Sequence, residues 1–345
     1  VTEETPSERP KRRPRYAGRN PRRFEEKYKE HNPGRYAATV EKVLASGKTP
    51  AGTHRPIMVA EILEVLAPAQ GEIAVDCTLG YGGHAEQILP RLLPGGRLIG
   101  LDADPIELPK TEARLRNLGF GEEAFTARRS NFAGLAQLLA AQEIDAADVI
   151  LADLGVSSMQ LDNPSRGFST KNDGPLDMRM NPGRGQPASA LLAGIRPDAL
   201  ASLLAENADE PNSAELAQAL ARRQFGTTAE LAGAVRAALP LMNKDACDLT
   251  VRRVFQALRI AVNDEFSALD TFLRNLPMCL KPGGRVAILT FHSGEDRRVK
   301  KAFESGRRDG VYAKIADDVG RPTPDERRAN PRSTPAKLRW AVRTN

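Results

Sequence analysis

The chain has 345 residues, 41% hydrophobic and 27% charged, enough for one large α/β domain with an insertion or for two modest domains. No apolar run reaches the roughly 18 residues that cross a bilayer, and no apolar signal segment stands near the first residue, so neither a membrane nor a secreted protein is expected and the cytoplasm is the inferred setting. The net charge of +6 is carried entirely by residues 1–50, with 13 Lys+Arg against 7 Asp+Glu.

In chain order, residues 1–50 come first, with Arg9-Pro10-Lys11-Arg12-Arg13-Pro14-Arg15 followed by Arg19, Arg22 and Arg23. The expected role of this basic extension is a flexible, salt-sensitive phosphate binder, with a plain solvated tail as the alternative. Apolar residues from Ile57 to Leu66 have helical spacing and stop before Pro68. Strands are expected at Ile73–Asp76, Arg97–Asp102, Phe125–Arg128 and Ala147–Asp153, with helices at His84–Leu93, Pro105–Leu118 and Phe132–Gln142 between them. Four strand–helix alternations predict an α/β, doubly wound, mostly parallel sheet. Residues 160–190 read as a long loop, and residues 197–240 as an all-helical insertion. A helix over Val251–Leu276, a strand over Gly284–Phe291, a helix over Asp296–Glu304 and a strand over Lys337–Val342 complete the pattern. The cysteines Cys77, Cys247 and Cys279 lack CxxC spacing, so no zinc site, other metal or disulfide framework is expected.

Two strand ends carry the chemistry. Asp76-Cys77-Thr78-Leu79-Gly80-Tyr81-Gly82-Gly83-His84 follows the first strand, and Asp153-Leu154-Gly155-Val156-Ser157-Ser158 the fourth. Ligands of open α/β sheets bind at such carboxyl ends. Gly80 and Asp102 stand at the offset of a phosphate or backbone turn and a ribose-binding acid, which suits a dinucleotide or S-adenosylmethionine (SAM). Three residues favour SAM: Asp76 before the loop would repel a pyrophosphate, Phe132 can lie against adenine, and Asp153 sits where an acceptor for an amine belongs.

Several runs closely resemble the bacterial 16S ribosomal RNA cytosine-N4 methyltransferases, the RsmH/MraW family. They include His54-Arg55-Pro56-Ile57-Met58, the Asp76–His84 run, Gly100-Leu101-Asp102-Ala103-Asp104-Pro105, Asp153–Asp162, Arg166-Gly167-Phe168-Ser169, Asp173–Met180, Arg253–Asn263 and Phe291-His292-Ser293-Gly294-Glu295-Asp296-Arg297. The resemblance covers most of residues 52–345. It implies a class I SAM-dependent methyltransferase, Rossmann-like, with SAM-binding segments 51–160 and 246–345 and a substrate-recognition loop and helical insertion over 161–245. It further implies N4-methylation of a cytidine in the decoding region, with 16S rRNA in the small ribosomal subunit or its precursor as partner. Association with a membrane is not implied, and a homodimer stays an open expectation. By motif position, SAM is expected on Gly82, Gly83, His84, Asp102, Phe132, Asp153 and Gln160, alongside Asp76 and Gly80 from the loop reading. Two departures stand out: the basic extension is unusual for the family, and Glu206-Asn207-Ala208-Asp209-Glu210-Pro211 replaces a Tyr-Gly-Glu-Glu-Arg-like turn.

A cytosine amine has its lone pair delocalised into the ring, so an acceptor for its N–H groups at the end of strand four is needed. Asp153 is the candidate, with His292 just after strand five on the same edge as a second catalytic candidate. Phe168 is a candidate base-stacking residue, with a core position as the alternative. Arg166, Arg179, Arg252, Arg253, Arg259, Ser293 and Arg297 form the expected substrate side, the helix-borne arginines through phosphates. Two alternatives are a SAM-binding ribosome-assembly factor without turnover and an amino-methyltransferase of another nucleic acid.

Overall fold

The computed structural model describes residues 56–345. The basic extension over 1–50, with His54 and Arg55, lies outside the described residues. Helix α1 (Val59–Leu66) leads into β1 (Ile73–Asp76), α2 (Gly83–Leu92), β2 (Arg97–Asp102), α3 (Leu108–Asn117), β3 (Phe125–Arg129), α4 (Leu135–Ala141) and β4 (Ala147–Asp153). Then follow α5 (Ser158–Asp162), α6 (Ala188–Gly194), α7 (Pro197–Ala208), α8 (Ser213–Leu220), α9 (Thr228–Ala238), α10 (Lys244–Asn263) and α11 (Glu265–Cys279). The chain closes with β5 (Leu280–Thr290), α12 (Ser293–Arg308), β6 (Tyr312–Ile315), α13 (Pro324–Ala329) and β7 (Lys337–Arg343).

The seven strands form one sheet in the order β3-β2-β1-β4-β5-β7-β6. Strands β1 to β5 are parallel, and β7 runs antiparallel between β5 and β6. Successive strand residues point to opposite faces, and both faces are covered, which is why the strands read as near-continuous apolar runs. On β4, Val149 and Leu151 pack with Ile62, Leu66, Ile88 and Leu115 in one helical layer. Ile150 and Ala152 pack with Leu135, Leu139, Phe272 and Leu276 in the other. The chain lays β1, β2 and β3 outward in one direction, then returns to place β4 on the far side of β1. That reversal opens a crevice at the carboxyl ends of β1 and β4, the usual ligand position of such sheets.

A third apolar cluster runs from Phe168 to Leu258 and joins α6 to α9 with the middle turns of α10 through Val251, Val254 and Leu258. The helical layer therefore reaches beyond residue 245, because α10 contributes to it. The described residues all fall within one unit, His54–Asn345.

The single helix expected over Val251–Leu276 is two helices. Asp264 takes φ 52°, a left-handed conformation that Asp tolerates better than most residues, and it ends α10 while starting α11. Asn263 supplies the cause. Its Nδ2 donates to the carbonyls of Met178 and Arg259 at 2.8 Å each, and its Oδ1 accepts from Met180 N–H at 2.7 Å. The long loop is thus tied down at the break. Helix α6, strand β6 and helix α13 are further elements that the hydrophobic pattern does not announce.

Within that loop Gly167 has φ 73°, and an added Cβ would collide with the Pro175 carbonyl and approach Asp177 N to 2.7 Å. Gly167→Ala is expected to destabilise the protein by about 1–3 kcal/mol, through overpacking against backbone that cannot retreat. An unshifted denaturation midpoint would contradict this.

Candidate active site

The loop after β1 is built to hold one shape. Gly82 adopts φ 79° as the N-cap of α2, and a Cβ there would lie 2.9 Å from Thr111 Cγ2. Only glycine fits both the backbone angle and the gap. The Thr111 hydroxyl donates to Gly80 O at 2.5 Å, and Arg114 donates to Tyr81 O from Nη2 at 2.8 Å. Asp102, ending β2, accepts from Gly80 N–H at 2.8 Å on one oxygen and from Asp104 N–H at 2.8 Å on the other. Each oxygen keeps a free lone pair. Thr78 couples the two central strands: its Oγ1 accepts from Asp153 N–H at 2.6 Å, and its own N–H donates to Asp76 at 3.1 Å.

Behind the loop lies a buried polar knot. Asp104 is 1% exposed and accepts from Ile106 N–H at 2.9 Å, Gln160 Nε2 at 2.8 Å and Arg166 Nη1 at 2.8 Å. Arg166 is 6% exposed, and its Nη2 donates to the carbonyls of Arg179 and Met180. Gln160 accepts from Ser157 N–H at 3.0 Å in a capping box at the start of α5. One carboxylate thus ties β2, α5 and the long loop together.

A cavity of about 990 Å³ opens over these strand ends, within the range of small-molecule sites. Gly80, Gly83, His84, Asp102, Phe132, Asp153 and Gln160 line it. Asp76 and Gly82 do not: Asp76 is 2% exposed at the end of β1, and Gly82 packs against Thr111 on the far side of the loop. Phe132 also packs edge-on against Phe272, ring centroids 5.6 Å apart. His84 Nε2 stands 3.5 Å from Asp153 Oδ2. Burial pushes the carboxyls of Asp76 and Asp102 up to about 6. The Asp102 and Asp153 carboxylates on the cavity wall, with Asp76 buried behind them, repel a pyrophosphate and suit a ligand with a cationic centre and hydroxyl donors. That charge pattern fits SAM.

Of the expected substrate side, Arg252, Arg253, Arg259, His292 and Ser293 line the same cavity. Arg166, Phe168, Arg179 and Arg297 do not. Arg166 is spent on Asp104, which replaces a substrate contact by a scaffolding one. Phe168 is 6% exposed within the helical cluster, so it has no face to offer a base. Arg179 forms a fork with Asp177, at 2.8 Å and 2.7 Å. Arg259 reaches the cavity, but Glu265 takes both arms of its guanidinium at 2.8 Å each. Arg252 has no ion-pair partner among the described residues, and Arg253 lies 3.8 Å from Glu210.

His292 is the N-cap of α12; its Nδ1 accepts from Glu295 N–H at 3.4 Å and its Nε2 lies 3.1 Å from Glu295 Oε1. Glu295 Oε2 accepts from Phe291 N–H at 2.8 Å. Burial alone would raise the Glu295 carboxyl, but the adjacent His292 and Arg259 hold it below its ordinary value. Glu265, His292 and Glu295 bring ligand atoms within 4.8 Å of one another, with Arg259 as the cation of that cluster. Asp209, which caps α7, accepts from Ser293 Oγ at 2.7 Å and from both arms of Arg297 at 3.0 Å.

The residues that sequence reasoning passed over are Asp104, Asp209, Glu265 and Glu295. Asp104 stands two places after Asp102, Glu295 three after His292 on a helical first turn, and Asp209 lies in the turn already marked as divergent. These three were visible as acids beside named residues, whereas Glu265 lies beyond the helix break at Asp264. Burial, which the sequence does not display, is what gives each its task.

Residues 51–344 match the model of the MraW methylase family. Ribosomal RNA small subunit methyltransferase H 2 of Alkaliphilus metalliredigens is 49% identical, over 97% of this chain and 98% of its own. Ribosomal RNA small subunit methyltransferase H 1 of Lachnoclostridium phytofermentans is 48% identical, over 96% of this chain and 93% of its own. Ribosomal RNA small subunit methyltransferase H of Rubrobacter xylanophilus is 38% identical, over 85% of this chain and 97% of its own. Alignments spanning 96% and 97% of the chain reach into the first fifty residues, whereas the family model begins at residue 51 and the 38% identical relative covers 85% of the chain. The strand order with an antiparallel β7, the acid-rimmed cavity and the family match over residues 51–344 agree, and the protein belongs to the MraW methylase family of SAM-dependent methyltransferases, with the class I fold.

Proposed function

We propose that this chain methylates the exocyclic N4 amine of a cytidine in the decoding region of small-subunit 16S rRNA, acting on the small ribosomal subunit or its precursor. The observation that carries the reading is a single cavity bordered by Gly83, His84, Asp102 and Asp153 on one side and by Arg252 and Arg253 on the other. Small-subunit rRNA is the substrate in the names of the relatives. SAM, when bound, supplies a methyl group already activated by its sulfonium.

The chain's own residues do the rest. Asp102 accepts hydroxyl donors on the lone pairs that Gly80 and Asp104 leave free. Phe132 gives a flat apolar wall, and the unpaired N–H groups of the first turn of α2 face the loop. Asp153 accepts an N–H of the target amine, which draws the lone pair back onto nitrogen and aligns it for attack. Arg252 and Arg253 contact phosphates and set the strand's position, not its sequence. Incubation of the protein with methyl-labelled SAM and small-subunit particles tests the reading. Label is expected in 16S rRNA, and rRNA left unlabelled by active, SAM-bound protein would reject it.

The raised carboxyls give a pH signature with two opposite signs. A cationic ligand favours ionised Asp76 and Asp102, so SAM affinity should increase as pH climbs through about 6. Without ligand, the folded carboxyls hold protons that unfolded ones release between 3.8 and about 6, so their contribution to stability falls as pH rises across that window. Calorimetry at about pH 5 and about pH 7.5 checks the first sign, and equal affinities would contradict it.

A further inference from the structure

His84 and Asp153 reach each other across the crevice, one from the first turn of α2 and the other from the end of β4, with Nε2 3.5 Å from Oδ2. Their side chains are only 7% and 15% exposed. Both His84 Nε2 and Asp153 Oδ1 are shielded from solvent and lack a hydrogen-bond partner among the described residues. Unpartnered buried polar atoms are costly and rare. Two of them on neighbouring side chains lining one cavity indicate work done on a bound molecule.

Methylating an amine leaves one proton too many on nitrogen. A carboxylate oxygen screened from water can take that proton but cannot hand it to bulk solvent. The imidazole beside it can receive it. Asp76, at the end of β1, is a second carboxylate that interacts with His84.

We propose that Asp153 and His84 form the proton-accepting pair of the methyl transfer, with Asp153 Oδ1 binding the amine N–H and His84 Nε2 storing the released proton. This rests on the methyl-transfer reading above. The amine nitrogen gives its lone pair to the incoming methyl carbon, and the pair of the broken C–S bond stays on sulfur. The N–H bond then breaks, its electron pair stays on nitrogen, and Asp153 Oδ1 takes the proton; rotation of the carboxyl about its Cβ–Cγ bond then turns that O–H toward His84, whose Nε2 lone pair accepts the proton and restores the carboxylate. The imidazolium loses that proton to water once the product has left.

Two measurements on the full chain test the pair: the single-turnover rate on small-subunit particles with SAM saturating, and the dependence of that rate on pH. With SAM saturating, His84→Gln is expected to react about 10²-fold more slowly in a single turnover, with the acid limb of the pH profile gone. Asp153→Asn is expected to lose the same limb, and the double variant to react about as slowly as Asp153→Asn alone, as for two residues that act as a unit. An unchanged rate in His84→Gln with SAM saturating, an acid limb that survives that substitution, or rate losses that multiply in the double variant overturns the proposal alone. A parent protein that binds SAM and methylates no rRNA overturns the methyl-transfer reading with it.

Discussion

Asp153→Asn is expected to slow methyl transfer by about 10²–10⁴-fold while leaving SAM affinity within an order of magnitude and the fold intact. The substitution is nearly isosteric. The tie between β4 and the first loop survives it, because Thr78 Oγ1 accepts from the backbone N–H of residue 153, not from its side chain. The negative charge is lost, together with one of the two acceptor oxygens. Oδ2 faces His84, whereas Oδ1 is the atom with no partner among the described residues. An amide presents an oxygen on only one side and has no capacity to take a proton at neutral pH. Single-turnover rates with SAM saturating separate this from a binding effect. A variant that keeps the parent rate would remove Asp153 from the chemistry.

Arg166→Met is expected to destabilise the protein by about 3–5 kcal/mol, because it strands the Asp104 carboxylate in the interior. Gln160 and the Ile106 N–H remain as donors, but neither carries charge. The backbone carbonyls of Arg179 and Met180 lose their donor as well. Changing Asp104→Asn in the same chain removes the stranded charge, so the double variant should cost less than the sum of the two single ones. Denaturant unfolding of the four proteins closes the cycle. A surface arginine serving RNA would behave otherwise, with stability unmoved and a shallower salt dependence of binding. A loss under about 1 kcal/mol in Arg166→Met would return this residue to the substrate side.

The sequence announced the sheet because its strands are buried on both faces: Ile73–Asp76, Arg97–Asp102 and Ala147–Asp153 are strands over the residues that their apolar runs mark. It also placed the acids at the strand ends, since an Asp after such a run has nowhere to go but the loop. The helix break at Asp264 was not legible, because neither glycine nor proline marks it. That omission hid a contact. On an unbroken helix, residues six apart project about 240° from each other, so Arg259 and Glu265 would face away. The left-handed turn at Asp264 lets them meet at 2.8 Å.

A similar limit explains the arginines. Arg252, Arg253, Arg259 and Arg166 carry the same charge in the sequence, yet two border the cavity with their guanidinium forks largely unclaimed, one is clasped by Glu265, and one is sealed against Asp104. Periodicity cannot rank them, because the partner lies across a helix break, as Glu265 does for Arg259, or tens of residues distant, as Asp104 does for Arg166. Phe168 shows the same thing for an aromatic side chain: a loop phenylalanine flanked by glycine and serine became part of the helical core.

Nucleoside mass mapping of 16S rRNA, after small-subunit particles react with the protein and methyl-labelled SAM, tests the central claim most directly. The account predicts one labelled cytidine in the decoding region, with the methyl on the exocyclic nitrogen. A label found only on a ring carbon, on a ribose oxygen or on another base would contradict it.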